Sequence, residues 1–304
     1  MNRRDFLARS LALPLGVGLF RGPEDARPPA GDALIGPVKY VGLWRSGIGT
    51  GAQWSLPASS WSAFAAEDLK HFNNGLRLVT LDSYYDHSLK EVRYVGTWRD
   101  GVGTGAQQTI QATGWEGFWA AHQENYGKQM RLVAVSVNNH GGGNLSYTGT
   151  WRGGVGLASQ KVQPAVKWNE FAVDAKKWFD MGGRMVAVSN STAADGEPVY
   201  MAVWSTGLGT PAEWTAPAED LNAFTARSSA HYAQGLRLAA LNVFYLKNQP
   251  RYFGVWRGGM GTAPQPMGSL VEWSVFAPQN HSRFSNGLRL TSLSVLRDQT
   301  VQID

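Results

Sequence analysis

With 304 residues, the chain is long enough to bury a sizeable core, and 43% hydrophobic against 17% charged residues excludes a disordered polymer. The formal net charge of +5 is spread along the chain without a dense basic run, so nothing points to nucleic acid. Cysteine is absent, which rules out a disulfide framework, a thiolate nucleophile and a cysteine-ligated metal.

Residues 1–33 read as a twin-arginine-type signal and linker. Arg3 and Arg4 precede Asp5, Phe6 and Leu7, and an apolar stretch follows from Leu11 to Phe20. Two arginines ahead of a moderately apolar segment resemble an export signal of the twin-arginine kind, and the segment is too short for an ordinary membrane span of ~20 residues. The mature chain is expected to begin around Ala26–Ala33 and to be periplasmic or secreted. Twin-arginine cargo folds before export, which suits a protein that needs no disulfides in an oxidising compartment.

From residue 36 onward the chain repeats itself. Tyrosine followed four residues later by tryptophan occurs five times, at Tyr40/Trp44, Tyr94/Trp98, Tyr147/Trp151, Tyr200/Trp204 and Tyr252/Trp256. Counted from each tyrosine, offsets 7 and 9 are always glycine, offset 24 is always phenylalanine and offset 32 is Phe or Tyr. Offset 37 is always arginine: Arg77, Arg131, Arg184, Arg237 and Arg289. Within one copy, Tyr40–Arg45 alternates as a strand, and the glycines at 47 and 49 make a turn. Gln53–Leu56 reads as a short return strand. Trp61, Phe64, Asp68 and Phe72 have helical spacing, a glycine such as Gly75, Gly235 or Gly287 marks the C-cap, and Leu76–Tyr84 is a second, longer strand. In the second copy, Thr113 and Glu116 read as a capping box.

The order is ββαβ, in units 38–91, 92–144, 145–197, 198–249 and 250–304, forming one repeat domain over 36–304. A unit of about 53 residues cannot cover its aromatic face alone, so neighbours must complete it. The fold class is therefore an α+β repeat protein. All five copies carry the full aromatic set and neither end reads as a polar cap, which favours a closed propeller-like ring. Residues 300–303 could begin a sixth tyrosine strand, the feature that favours an open solenoid arc.

The motif Y-x-G-x-W-R-x-G-x-G-T, followed by the helix and a G-L-R-L strand, resembles a bacterial tandem-repeat family. That family also forms the N-terminal region of polyglycine hydrolases, where it precedes a β-lactamase-like catalytic domain. The resemblance covers about residues 36–300. It implies a repeat domain without established chemistry, often attached to a catalytic partner. The S-x-x-K nucleophile motif of that partner is absent here, so hydrolase activity does not carry over.

Other chemistries lack the residues they would need. Gly47–Gly51 lacks the helix that a dinucleotide loop must open. The five offset-37 arginines could line an anion site, stack on the hairpin tryptophan or cap helix-end carbonyls; the structural roles are the expectation. The arginines after the strand tryptophan, Arg45, Arg99, Arg152 and Arg257, are expected to be solvated, because Ser205 replaces one of them. A guanidine-modifying ββαβ enzyme would need a cysteine. There is no G-x-S-x-G elbow, and the six histidines show no metal-ligand spacing.

Subtracting the shared positions leaves aromatics confined to copies one and four. These are Trp54 and Trp214 at offset 14, His71 and His231 at offset 31, and Tyr84-Tyr85 and Phe244-Tyr245 at offsets 44 and 45. Flat aromatic faces stack on sugar rings or line an extended peptide. The sequence therefore reads as an exported, non-catalytic scaffold without cofactor or metal. It would bind a polysaccharide, peptidoglycan, a Gly-rich peptide or a separate hydrolase, with an envelope hydrolase as the competing reading.

Overall fold

A computed structural model describes residues 36–297 other than Leu157 and Thr210, all within the compact unit Ile35–Asp304. The expected signal at residues 1–33 and the possible sixth strand at 300–303 lie outside the described residues. In chain order the elements are β1 (Val38–Arg45), β2 (Gln53–Ser59), α1 (Trp61–Asn73), β3 (Arg77–Asp86), β4 (Glu91–Arg99), β5 (Gln107–Thr113), α2 (Gly114–Gly127), β6 (Arg131–Asn139), β7 (Leu145–Arg152), β8 (Gln160–Lys167), α3 (Trp168–Asp180), β9 (Arg184–Thr192), β10 (Pro198–Ser205), β11 (Glu213–Thr215), α4 (Leu221–Ala233), β12 (Arg237–Leu246), β13 (Gln249–Arg257), α5 (Trp273–Ser285) and β14 (Arg289–Arg297). The ββαβ order recurs, with five helices among the described residues.

The strands form five small antiparallel sheets, and no sheet closes on itself. Four have three strands, in the orders β2-β4-β3, β5-β7-β6, β8-β10-β9 and β11-β13-β12. The middle strand of each is the tyrosine strand of the following copy. The short strand therefore pairs with the next copy's tyrosine strand, not with the hairpin that precedes it. The fifth sheet is β1 paired with β14, Tyr40 opposite Val295, and the segment around 267–271 bridges the other edge of β1 at Leu43 and Tyr40. The first tyrosine strand thus completes the last copy's sheet.

Large aromatics dictate this arrangement. The five strand tryptophans are 0–2% exposed and the five offset-24 phenylalanines 0–1% exposed. In the second sheet Phe118 lies 5.4 Å from Trp151 and 5.6 Å from Tyr147. Packing at this density leaves no room at offset 2. A Cβ on Gly149 would sit 2.8 Å from Trp151, 2.9 Å from Leu132 and 2.9 Å from Phe118. One copy carries Ala202 there, and its partner at the leucine position is Met185. An unbranched, adaptable side chain yields where leucine would collide.

The indole N–H groups are satisfied from the helix, at offset 28. Trp44 donates to Asn280 (2.8 Å), Trp98 to Asp68 (2.7 Å), Trp151 to His122 Nδ1 (3.2 Å) and Trp256 to Ser228 (3.3 Å). Burial, with Arg131 nearby, pulls His122 down to about 4, so its ring stays neutral and can accept. In the remaining sheet offset 28 is Ala175, and Trp204 Nε1 has no partner.

One contact joins each copy to the next, and a second, from the offset-37 arginine to the following turn, is made by Arg77, Arg131, Arg184 and Arg289 but not by Arg237. The backbone N–H at offset 38 donates to a Gln or Glu at offset 13 of the following copy: Leu78 to Gln107, Leu132 to Gln160, Met185 to Glu213, Leu238 to Gln265, and Leu290 to Gln53 of the first copy. Each offset-37 arginine lies over the offset-32 ring, 3.7–4.1 Å from its centroid. Arg77 also donates to the Phe72 and Leu76 carbonyls at the helix end and to Gly105 and Thr104 of the next turn. Arg289 reaches Gly51 in the same way. These arginines cap helix ends, but they stack on the offset-32 ring rather than on the tryptophan. Five residues back along the chain puts that ring directly beneath the guanidinium.

Other local expectations require correction. Arg152 and Arg257 are not solvated. They donate to the carbonyls of Leu78 and Met185 in the preceding sheet, and Arg257 also pairs with Glu213 at 2.7 Å. Ser60 and Asp220 cap their helices through bonds from Ala63 and Ala223, but Thr113 makes no side-chain cap bond. The residue in capping register in that copy is Gly114, at φ +76°, so Thr113 stands one position too early. The helix-end glycines at 75, 182, 235 and 287 do adopt positive φ, and Gln129 takes their place in the second copy.

Candidate binding site at the strand ends

The five long strands lie side by side in the order β3, β6, β9, β12, β14, and β14 also packs against β3. Offset 42 places Asp82, Ser136, Ser189, Asn242 and Ser294 at one level in these strands, each 0–5% exposed. Their side chains accept from the strand before them. Val137 N–H donates to Ser189 (3.0 Å), Asn190 N–H to Asn242 (3.0 Å), Val243 N–H to Ser294 (2.9 Å) and Val295 N–H to Asp82 (2.9 Å). Ser83 and Ser136 exchange a hydroxyl contact at 2.7 Å. An apolar residue here would leave a strand amide without an acceptor.

Asp82 is the single acid at this level. It also accepts from Ser294 (2.6 Å), Ser136 (3.3 Å) and Asn242 (3.4 Å). Burial pushes its carboxyl up to about 6, against hydrogen bonds that pull the other way. A folded-state value above the ordinary carboxylate value of about 3.9 means that its contribution to stability is full below about pH 4 and is lost as pH rises through about 6. Asp82→Asn, the residue already present at 242, is expected to flatten the pH dependence of unfolding between pH 4 and 6. The neutral-pH stability should be equal or higher, by on the order of 2 kcal/mol. Denaturant titrations of both proteins across that range check this; parallel pH curves would contradict it.

Above this level, at the C-terminal ends of the long strands, opens a cavity of about 300 Å³ lined by residues of all five copies. A narrower space of about 70 Å³ lies toward the other end of the same strands, lined by small apolar residues such as Ala134, Ala187 and Ala240. The larger cavity contains four of the eight sequence-derived candidates: Tyr84, Tyr85, Phe244 and Tyr245. At the rim Tyr85 stacks on His140 at 4.5 Å and meets His87 edge-on at 4.8 Å. Asp86, below its ordinary range, is buried; the bonds from Ser88 and Leu89 and the neighbouring Arg297 outweigh that burial.

The other four candidates are elsewhere. Trp54 packs on buried His71 at 5.5 Å, and Trp214 on His231 at 6.0 Å. Each pair joins a short strand to its own helix. Trp54 sits opposite Trp98 at the far end of its sheet from Tyr84. Trp214 is 57% exposed, whereas Trp54 is half-buried under Lys70. The eight residues therefore divide into one central group and two outer pairs. Residues that sequence reasoning passed over also line the cavity: Asp82, Asn138, Asn190, Ser191, Asn242 and Arg297. For Asp82 and Asn242 the signal was available, since offset 42 is polar in every copy.

Among the described residues, no three His, Asp or Glu side chains converge to hold a metal ion, and no helix is long and apolar enough to cross a membrane.

A comparison with family models covers α4, β12 and β13. Residues 220–257 match the polyglycine hydrolase-like structural repeat. The match is to the repeat expected from the sequence, over the helix and long strand of the fourth copy and the tyrosine strand of the fifth. The matched segment runs from the Asp220 helix cap to Arg257, so the repeat is a helix, a long strand and the next tyrosine strand. That is the group that packs as one body around Phe224, Tyr252 and Trp256. A search of curated proteins found no match.

Proposed function

We propose that this chain is an exported scaffold whose five sheets close into a propeller-like ring and bind a polymer at the central cavity. Three cyclic contacts support the ring: Leu290 to Gln53, Arg289 to Gly51 and Val295 to Asp82 all run from the last copy back to the first. The observation that carries the binding reading is the cavity itself. Repeats that share their strand tryptophans and helix phenylalanines differ where the strand ends meet, and there they place aromatic rings and amides around one opening.

Binding fits better than catalysis because Asp82, the carboxylate at the cavity, and Asp86, beside the wall residues Tyr85 and His87 in sequence, are both committed. Asp82 is held by four hydrogen bonds and Asp86 by Ser88, Leu89 and Arg297. Neither is positioned as a free general acid or base. The outer pairs at Trp54 and Trp214 serve as accessory stacking faces for a polymer that extends past the opening.

Retention of the purified protein on peptidoglycan, insoluble polysaccharides and glycine-rich peptide beads tests this reading. One matrix should hold the protein unchanged, and the Trp54→Ala, Trp214→Ala double variant should be held more weakly with the same melting behaviour. Release of soluble fragments from the matrix would favour the envelope hydrolase, and no retention would contradict binding. Export rests on Arg3 and Arg4. Replacing both by lysine should leave the protein in the cytoplasmic fraction.

A further inference from the structure

Offset 44 is the level at which the five long strands meet the cavity, and its residues are not evenly distributed. Phe244, Leu296 and Tyr84 come from copies four, five and one, which are neighbours: β12 packs on β14 and β14 on β3. Asn138 and Ser191 come from copies two and three, on β6 and β9, which are neighbours as well. One arc of the wall is therefore apolar and largely aromatic, and the facing arc is amide and hydroxyl. Asn139 and Thr192 extend the polar arc one residue outward.

The polar arc has unused capacity. Asn190, 5% exposed and part of the cavity wall, has its backbone N–H bonded to Asn242, yet both its side-chain oxygen and nitrogen lack a protein partner. A buried amide without partners is costly, typically about 1–3 kcal/mol, unless something else supplies them. The charge, by contrast, is spent inside the protein, because Arg297 at the wall is bonded to Asp86. A charged ligand would find no unsatisfied counter-charge there.

We propose that the cavity takes one neutral sugar ring, with its C–H face against Tyr84, Leu296 and Phe244 and its hydroxyl edge toward Asn138, Asn190 and Ser191. A sugar has these two unlike sides, and a primary amide, carrying donor and acceptor together, matches vicinal hydroxyls. A glycine-rich peptide has no side chain to cover the apolar arc. At about 300 Å³ the cavity is at the lower limit of ligand pockets, the size for one residue of a chain. The proposal rests on the binding reading above and names its ligand class.

The test is calorimetric and NMR titration of the full chain with glucose, galactose, mannose and N-acetylglucosamine, with tetraglycine and galacturonate as counter-probes. At least one neutral sugar should bind and shift signals of residues 83–85, 138–139, 190–192 and 243–245. Asn190→Ala removes a buried amide that bonds nothing in the protein, so its melting temperature should stay the same or rise while affinity falls about tenfold. Phe244→Ala should also weaken binding. Tetraglycine binding without sugar binding would overturn the sugar assignment and leave the polymer-binding reading standing. Galacturonate binding more tightly than every neutral sugar would overturn the argument from charge. Sugar binding insensitive to both substitutions would move the site away from the cavity. No binding of any probe, with retention on a matrix persisting, would overturn the cavity as a sugar site while the scaffold reading survives.

Discussion

Phe171→Ala is expected to lower the free energy of unfolding by about 3–5 kcal/mol, the range for deleting a large aromatic from a packed core. Phe171 is completely buried, with Trp168 at 5.7 Å, Tyr200 at 5.5 Å, Trp204 at 5.8 Å and Phe253 at 5.9 Å. Phe253 belongs to the next sheet, so the ring joins two copies as well as filling one. Rigid indole and phenol neighbours cannot collapse into the vacated space, which puts the expected loss toward the upper part of the range. Denaturant unfolding measures it directly. A loss under about 1 kcal/mol would show that the helix face carrying Phe171 packs more loosely than its surroundings imply.

Removing residues 1–45 is expected to unfold the whole domain, not just the last copy, whose sheet β1 completes. This deletion takes away β1, the strand between β14 and the segment at 267–271. Tyr40, Val41, Leu43 and Trp44 are all 0–3% exposed. Burial of such side chains is worth about 1.5–3 kcal/mol each, so their loss approaches the roughly 5–15 kcal/mol that holds a typical domain folded. Phe276 and Leu290 would lose their cover, and Asn280 would lose the indole it accepts from. Circular dichroism of the truncated chain distinguishes the outcomes. A protein that keeps about four fifths of its helix signal and melts cooperatively, slightly lower, would mean that the copies stack independently, as in an open solenoid.

Much of this architecture is legible in the sequence, because packing repeats whatever packing needs. The tryptophans, the phenylalanines and the paired glycines at offsets 7 and 9 recur in all five copies, and each has the same role in each. The partition into sheets is not legible in the same way. A sequence that repeats about every 53 residues has no mark showing where one sheet ends, so the pairing of β2 with β4 rather than β1 emerges only in three dimensions. The offset-13 glutamines were visible but carry no hydrophobic signal, and only the structure shows that they accept a backbone N–H from the preceding copy.

The candidate site was half legible for a similar reason. Looking for aromatics found only in some copies identifies Tyr84, Tyr85, Phe244 and Tyr245, which do gather at one opening. The same search brings in Trp54, His71, Trp214 and His231, because sequence offsets do not show that one end of a sheet lies away from the other. Asn138, Asn190 and Ser191 were passed over because single polar residues at strand ends look like ordinary surface. They become a surface of one cavity only when five strand ends converge.

Hydrogen exchange of the backbone amides tests most directly whether the five copies form one closed body around that cavity. Tyr40 N–H is bonded to Val271 and Val295 N–H to Asp82, both across the junction between the last copy and the first. In a closed ring these amides exchange only when the whole domain unfolds, with the same free energy of opening as the amides of β6 and β7. Amides of β1 and β14 that exchange through a much smaller opening, while β6 and β7 stay protected, would contradict the closed ring and leave an arc with a loose end.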